Sequence, residues 1–571
     1  LALPALVYAL IFLITTATSV VPATSFWGSY QRLQGTYTNL SYILLFVLMI
    51  VTLRTRAQVE RIITITIISG VTAAGYGVLQ HFTIDPLPWQ GDVIARVAST
   101  LGNSIFVAAF LIMVTPLAIY RLVAGLGDLR AAPPSASPGT DWLWALARAL
   151  LLLCGVLLLL AVIKFGAAVR TVDFRYWWVF PGAVISATGI WWVLTTDFDR
   201  AGGRVPLWPG LLMLGFLLLF GAQFALTAAA GIQAAALPKD APNAVDWWIW
   251  LFVSIGCGVA GYGMALFVPA RSAQPSRLSV GIGAAVSAAA ALLMVVATVF
   301  TQSRGPFMGL GAGMFAFFTL LLWVALRRAR AGGAARLVGR LRALLIGWVS
   351  VTVLAAIFLA AFNFSDAPIF VRLREVPYLG RMGQLTQADS GTGLVRRLIW
   401  AGDAHGGGAI GLITSNPLRA LIGWGPESMF VAFNPFFPPS LSDVEARGAS
   451  PDRSHQAILD ELVTKGVVGL ASYLFLVISF LVLAARLMLR SQDWRWQVLY
   501  IATFSLVVCH VVEGATGIPI VATLMLLWVA MAMTVVGGAL DGQYRLSLRP
   551  APTAAPEAEP EAPAAERRRQ G

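Results

Sequence analysis

Residues 452–469 read DRSHQAILDELVTKGVVG, and in them the polar segment 363–466 gives way to a long apolar run. Arg453 and His455 come first, and Ile458, Leu459, Leu462 and Val463 then recur at helical spacing. The pattern predicts a short amphipathic helix that leads through Lys465-Gly466 into a membrane span. A histidine and an arginine are thereby held where a polar loop meets an apolar phase. Ionisable groups at such a boundary are costly to keep and signal function. The stretch alone fits equally well a loop residue resting on a helix start.

Composition sets the class. Apolar residues make up 58% of the 571 and charged residues 12%, and the mean hydropathy is +0.78. That charged fraction is about half that of a soluble domain, so the chain reads as an all-α, polytopic transmembrane helix bundle. Cys154, Cys257 and Cys509 all lie inside apolar runs, with neither a disulfide framework nor a zinc spacing. The net charge of +13 is mostly arginine in short connections, which reports membrane orientation and not nucleic-acid binding. The first apolar run starts at Leu1 with no charged region or cleavage site before it, so truncation is expected there rather than a signal peptide.

A helical crossing needs about 20 mostly apolar residues, which predicts about fourteen spans. They fall near 1–22, 38–53, 62–83, 101–123, 142–168, 177–195, 207–229, 245–269, 278–302, 306–326, 342–362, 467–488, 496–511 and 516–539. The expected organisation is an N-terminal bundle over 1–362, an external segment over 363–466, C-terminal helices over 467–540 and a disordered cytoplasmic tail over 541–571. The tail is low in complexity, APTAAPEAEPEAPAAERRR, and cannot build a core.

Arginine placement tests this organisation independently. Alternate connections are rich in it: Arg54, Arg56 and Arg61; Arg121 and Arg130; Arg200 and Arg204; Arg271 and Arg277; the run from Arg327 to Arg342; and Arg486, Arg490 and Arg495. The intervening short loops hold fewer, chiefly Arg32, Arg96, Arg170, Arg175, Lys239 and Arg304. The positive-inside rule then puts the C-terminus in the cytoplasm and 363–466 outside. Arg304 and all four histidines, His81, His405, His455 and His510, fall near the outer face.

The segment 363–466 carries many prolines and the cluster Gly406 to Gly408, and reads as short helices and loops lying on the membrane surface. Phe430, Phe433, Phe436 and Phe437 form an aromatic patch that either enters the headgroups or covers a lipid, or simply packs the segment onto the bundle.

Four constellations carry candidate chemistry. Ser303-Arg304-Gly305 closes the ninth span, with Pro306 opening the next helix; a guanidinium there either snorkels to the interface or forks onto phosphate oxygens. Val395-Arg396-Arg397-Leu398-Ile399-Trp400 predicts a helix start from which one arginine faces the site. Asn416-Pro417-Leu418 leads to Gly423-Trp424-Gly425-Pro426-Glu427, a turn-rich element that reads as structural, with Glu427 a candidate for orienting another residue. The fourth is the opening stretch with His455.

In this order, the pieces resemble the O-antigen ligase and O-antigen polymerase superfamily of membrane glycosyltransferases. The resemblance begins at GSYQRLQGTYTNL and RVASTLGNSIFVAAFL, runs through SRG, the Arg396-to-Trp400 motif and NPL…GWGPE, and ends at RSHQAILDELVTKGVVGL. It maps the family's essential arginines onto Arg304 and Arg396 and its loop histidine onto His455. Arg397, Arg453, Ser303 and Gln456 are the expected further substrate contacts. Gln456 departs from the asparagine usual after that histidine, and the family's additional upstream spans are missing here.

The resemblance implies a bacterial cytoplasmic membrane protein with its site on the external side. Its donor would be a lipid-linked oligosaccharide on undecaprenyl pyrophosphate, and its acceptor a hydroxyl on a glycan, lipid or protein. The arginines would stabilise charge on the leaving pyrophosphate and His455 would remove the acceptor proton, with inversion at the anomeric carbon. No cofactor and no metal are expected, because the histidines are scattered and no cluster has ligand spacing; a metal-dependent alternative would draw on Asp389, Asp403 and His405. A polymerase and a protein O-oligosaccharyltransferase of the same superfamily share these residues. A transporter of lipid-linked sugars would instead show internal repeats and charges near the midplane, where Lys164 is the main candidate.

Overall fold

The computed structural model describes residues 1–83, 92–131, 138–169, 189, 253–261, 264, 277–376, 380–385, 391–445 and 449–546. These residues form helices and loops without a β-strand. Among the described residues, eight helices are long and apolar enough to cross a membrane: Arg56–His81, Ser104–Arg130, Val280–Phe300, Arg304–Ala331, Ala335–Phe364, Ala457–Arg490, Trp494–Gly514 and Val521–Leu540. Ala2–Ala17, Thr36–Thr52 and Trp142–Leu158 are shorter apolar helices at three further expected spans. The spans expected near 177–195 and 207–229, most of 245–269, the side chain of Lys164 and nearly all of the tail lie outside the described residues. A total of about fourteen crossings is therefore not established.

The core forms where three helices meet. Ser104–Ala131 packs against Arg277–Phe300 and Trp494–Gly514, and the last of these packs along Arg304–Ala331. Glycines set how closely this last pair approaches. A Cβ at Gly305 would overlap Thr516 Oγ1, one at Gly309 would stand 2.9 Å from the Cys509 carbonyl, and one at Gly313 would overlap Cys509 Sγ. Glycines four residues apart share one helix face, and in lipid such small-residue stripes let backbones approach where side-chain hydrophobicity gives no drive. The stripe thus draws the first turn of one helix, at Arg304, against the last turn of the other, at Glu513.

A helix of 28 residues is about 42 Å long, so Arg304 and the arginine-rich turn at 327–342 lie at opposite ends. At the latter end Arg56 bridges to Asp493 at 2.9 Å, Arg121 to Glu60 at 3.1 Å and Arg495 to Asp128. Arg328 donates to the Gln492 carbonyl there at 2.9 Å, and Arg327, Arg330, Arg336, Arg340 and Arg342 are exposed. The long polar segment gathers at the other end, where His81 stacks on Phe300 at 3.9 Å.

That segment is built from Pro368–Glu375, Gly391–Ala401, Gly408–Thr414, Pro417–Ile422, Met429–Ala432 and short 3-10 turns. It has its own small core, in which Leu398, Ile399, Leu412, Leu441 and Val463 surround Phe433. Phe433 is therefore packing, Phe436 and Phe437 rest against the same cluster, and Phe430 stays exposed. The expected amphipathic helix and the following span form one element, Ala457–Arg490, broken at Gly466 by φ +68°. Only glycine adopts that angle cheaply, and a Cβ there would overlap the Leu421 carbonyl.

Candidate active site

Arg304 occupies the first helical position of Arg304–Ala331, and the half-buried Arg396 lies on Gly391–Ala401. Both line one open cleft, together with Arg96, Arg381, Gln302, Ser303, Gly305, Pro306, Thr516 and Ile105. Arg304 donates to Gln384 Oε1 at 3.2 Å, while its Nε is buried with no partner. Arg96 reaches the Thr301 carbonyl at 3.4 Å. Burial lowers the pKa of Arg96, and the charges of Arg381 and Arg396 lower it further. A guanidinium resists deprotonation even so. Four like charges around one cleft repel one another and form a strong attractor for a multivalent anion.

Ser303, at the N-cap, lines the cleft and is buried. Arg397 points elsewhere: it is exposed and does not line the cleft, as neighbouring positions on a helix require.

His455 does not line the cleft, but the charge of Arg396, which does, acts on its ring. Its φ of +56° is left-handed, an uncommon setting for a residue with a Cβ that surrounding contacts must enforce. Three contacts do so. Trp400 Nε1 donates to the Ser454 carbonyl at 2.5 Å, the Ser454 amide donates to Asp460 at 3.4 Å, and Ser454 Oγ donates to the Gln456 carbonyl at 2.9 Å. Trp400 lies one helical turn beyond Arg396, so a single short helix places the cleft arginine and anchors the histidine turn. Burial holds the His455 imidazole below its ordinary pKa; Arg396 and Arg32 push the same way, against Asp452 and Asp460. The ring is thereby neutral at pH 7 and able to accept a proton.

Arg453 is placed differently. It is buried, bridges to Glu427 at 3.0 Å and to Asp460, and donates to Gln34 Oε1 at 2.8 Å. Glu427 also accepts from the amides of Ser29 at 2.5 Å and Gln34 at 3.2 Å, and Arg32 clasps Asp452 at 2.7 and 3.1 Å. The early GSYQRLQG stretch is thus tied to the RSHQ stretch through carboxylates. The guanidinium expected to touch substrate is occupied by the protein's own acids. Gln456 Oε1 accepts from the Leu459 amide at 2.6 Å and caps the helix.

Sequence reading named Arg96 only as a loop arginine and did not single out Arg381 or Glu513. The signal for Glu513 is one carboxylate beside an apolar run, two residues beyond the expected end of the span at 511. Asp403 holds a turn, accepting from His405 N at 2.9 Å and Ser440 Oγ at 2.8 Å. Among the described residues no group of three or more His, Cys, Asp or Glu is arranged to hold a metal ion; Asp389 lies outside them.

Comparison with curated proteins returns no match. Residues 289–474, a stretch that contains Arg304, Arg396 and His455, match the family model described as O-antigen ligase (Wzy_C), and this match supports the O-antigen ligase superfamily.

Proposed function

We propose that the protein transfers a glycan from an undecaprenyl-pyrophosphate carrier to an acceptor hydroxyl at the external face of the bacterial cytoplasmic membrane. The observation that carries this reading is the shared cleft of Arg304 and Arg396 beside the His455 turn, at the end of the bundle opposite the arginine-rich connections. The positive-inside rule makes that end external.

Chemistry follows from the side chains. The pyrophosphate sits among the arginines while its lipid tail remains in the bilayer. His455 takes the acceptor proton as the acceptor oxygen bonds to the anomeric carbon. The bond from that carbon to the pyrophosphate oxygen breaks on the opposite face, so the configuration inverts. The pyrophosphate leaves with the bonding electron pair, and Arg304 and Arg396 stabilise the charge it gains. His455 then returns its proton to solvent.

Full-length protein in lipid nanodiscs, given an undecaprenyl-pyrophosphate-linked glycan and an acceptor, is expected to release undecaprenyl pyrophosphate. Arg304→Lys should fail despite keeping its charge, because an ammonium does not reproduce a bidentate fork. In sealed proteoliposomes, carrier that crosses the membrane with its glycan intact, with no release of undecaprenyl pyrophosphate, would favour a transporter instead.

A further inference from the structure

Two rim segments of the arginine cleft are joined by a seam of hydrogen bonds. Residues 94–97 precede the helix Ser104–Ala131, and residues 300–304 connect Arg277–Phe300 to Arg304–Ala331. Three bonds cross between them. The Val97 amide donates to the Phe300 carbonyl at 3.3 Å, Gln302 Nε2 to the Ala95 carbonyl at 2.8 Å, and Arg96 Nε to the Thr301 carbonyl at 3.4 Å. His81 braces the seam: its ring stacks on Phe300 at 3.9 Å, and its Nδ1 donates to the Ile94 carbonyl at 2.9 Å. Asp92 fixes the turn before it, accepting from the amides of Ile94 at 3.1 Å and Ala95 at 2.9 Å.

The seam also holds a strained residue. Gln302 has φ +50°, a left-handed angle that a residue with a Cβ keeps only where its surroundings enforce it. Arg96 and Arg304 stand on the two sides of this seam, and they line the cleft together with Gln302. Arg96 gives its Nε to the Thr301 carbonyl, and among the described residues its two terminal nitrogens make no hydrogen bond or ion pair. Those nitrogens are the fork that meets phosphate oxygens.

We propose that Arg96 is a pyrophosphate-binding residue and that Gln302 is its positioning residue: the seam holds Arg96 and Arg304 as one clamp, a guanidinium for each phosphate of the carrier. The inference rests on the reading of the cleft as the pyrophosphate site. Groups fixed in their bound arrangement lose less freedom when the ligand arrives, so the seam strengthens binding without adding a contact. Orthophosphate, with a single phosphorus, engages only one side of such a clamp.

The test is direct binding of inorganic pyrophosphate and of orthophosphate to full-length protein in nanodiscs, with no glycan present. Arg96→Gln should bind pyrophosphate about tenfold more weakly, the scale of one charge-assisted hydrogen bond, and should lose much less affinity for orthophosphate. Gln302→Ala should weaken pyrophosphate several-fold, and in an Arg96→Gln background it should weaken it no further, because coupled residues are not additive. Pyrophosphate binding within twofold of wild type by an Arg96→Gln protein that unfolds at the wild-type temperature would overturn the proposal. Equal losses for the two anions would overturn the clamp, and an undiminished effect of Gln302→Ala without Arg96 would overturn the positioning role. Should Arg96→Gln unfold early, Arg96→Lys serves in its place: it keeps the charge, loses the planar fork and should bind pyrophosphate several-fold more weakly. Wild-type affinity in that variant would overturn the clamp as well. Wild-type protein that fails to bind pyrophosphate would overturn the reading of the cleft and this inference with it, whereas wild-type binding that Arg96→Gln leaves unchanged overturns this inference alone.

Discussion

Arg396 and Trp400 share one short helix, and Trp400 Nε1 donates to the carbonyl of Ser454, the residue before His455, at 2.5 Å. The family-like spacing of an arginine four residues before an aromatic thus has a physical use. One element carries a cleft arginine and anchors the turn that presents the histidine.

Trp400→Phe keeps the ring packing and deletes the donor. A neutral hydrogen bond is worth about 1 kcal/mol, which is too little to unfold the segment and enough to loosen a strained turn. Transfer should fall about tenfold in kcat with donor binding little changed. Equal losses in donor binding and kcat would instead make Trp400 a plain packing residue.

The pH profile should follow His455. Its pKa is held low by burial first and by Arg396 next, while Asp452 opposes them. In the proposed reaction the base must be the neutral ring, so kcat/KM should be full at pH 7 and fall as pH drops through the pKa. Asp452→Asn removes a carboxylate that favours the imidazolium, so the acid limb should move to lower pH. A limb that moves upward would remove Asp452, or His455, from that role.

Arg453 should behave as a structural residue. Arg453→Met leaves Glu427 and Asp460 buried without their cation, a loss on the order of 3–5 kcal/mol. Thermal unfolding in detergent should drop sharply, and residual folded protein should still bind donor. A stable variant that has lost donor binding would restore Arg453 as a substrate contact.

Much of this was legible from residue types alone. Apolar run lengths located the helices because a span must satisfy its backbone internally, and Lys465-Gly466 marked the junction that the structure breaks at Gly466. Glu427 was legible only as a candidate orienting acid in an element that reads as structural. What could not be read was pairing across distance. Nothing in the local pattern says that Glu427 and Asp460 would claim Arg453, or that Gln456 would spend its carbonyl on a helix cap. Arg96 and Arg381 are ordinary loop arginines until folding brings them to the cleft.

Sidedness can be checked without activity. In a cysteine-free background, a cysteine at exposed Ser442 should react with an impermeant thiol reagent in intact cells, and one at exposed Arg336 should not. Reversed labelling would invert the bundle and place the cleft on the cytoplasmic side.

The central claim is that His455 removes the acceptor proton while the arginines hold the pyrophosphate. It is tested most directly by measuring single-turnover glycan transfer and donor binding side by side for wild type and His455→Ala. The account predicts that His455→Ala binds the undecaprenyl-pyrophosphate-linked glycan within a few-fold of wild type and transfers about a hundredfold to ten-thousandfold more slowly. A His455→Ala protein that transfers at the wild-type rate would contradict it.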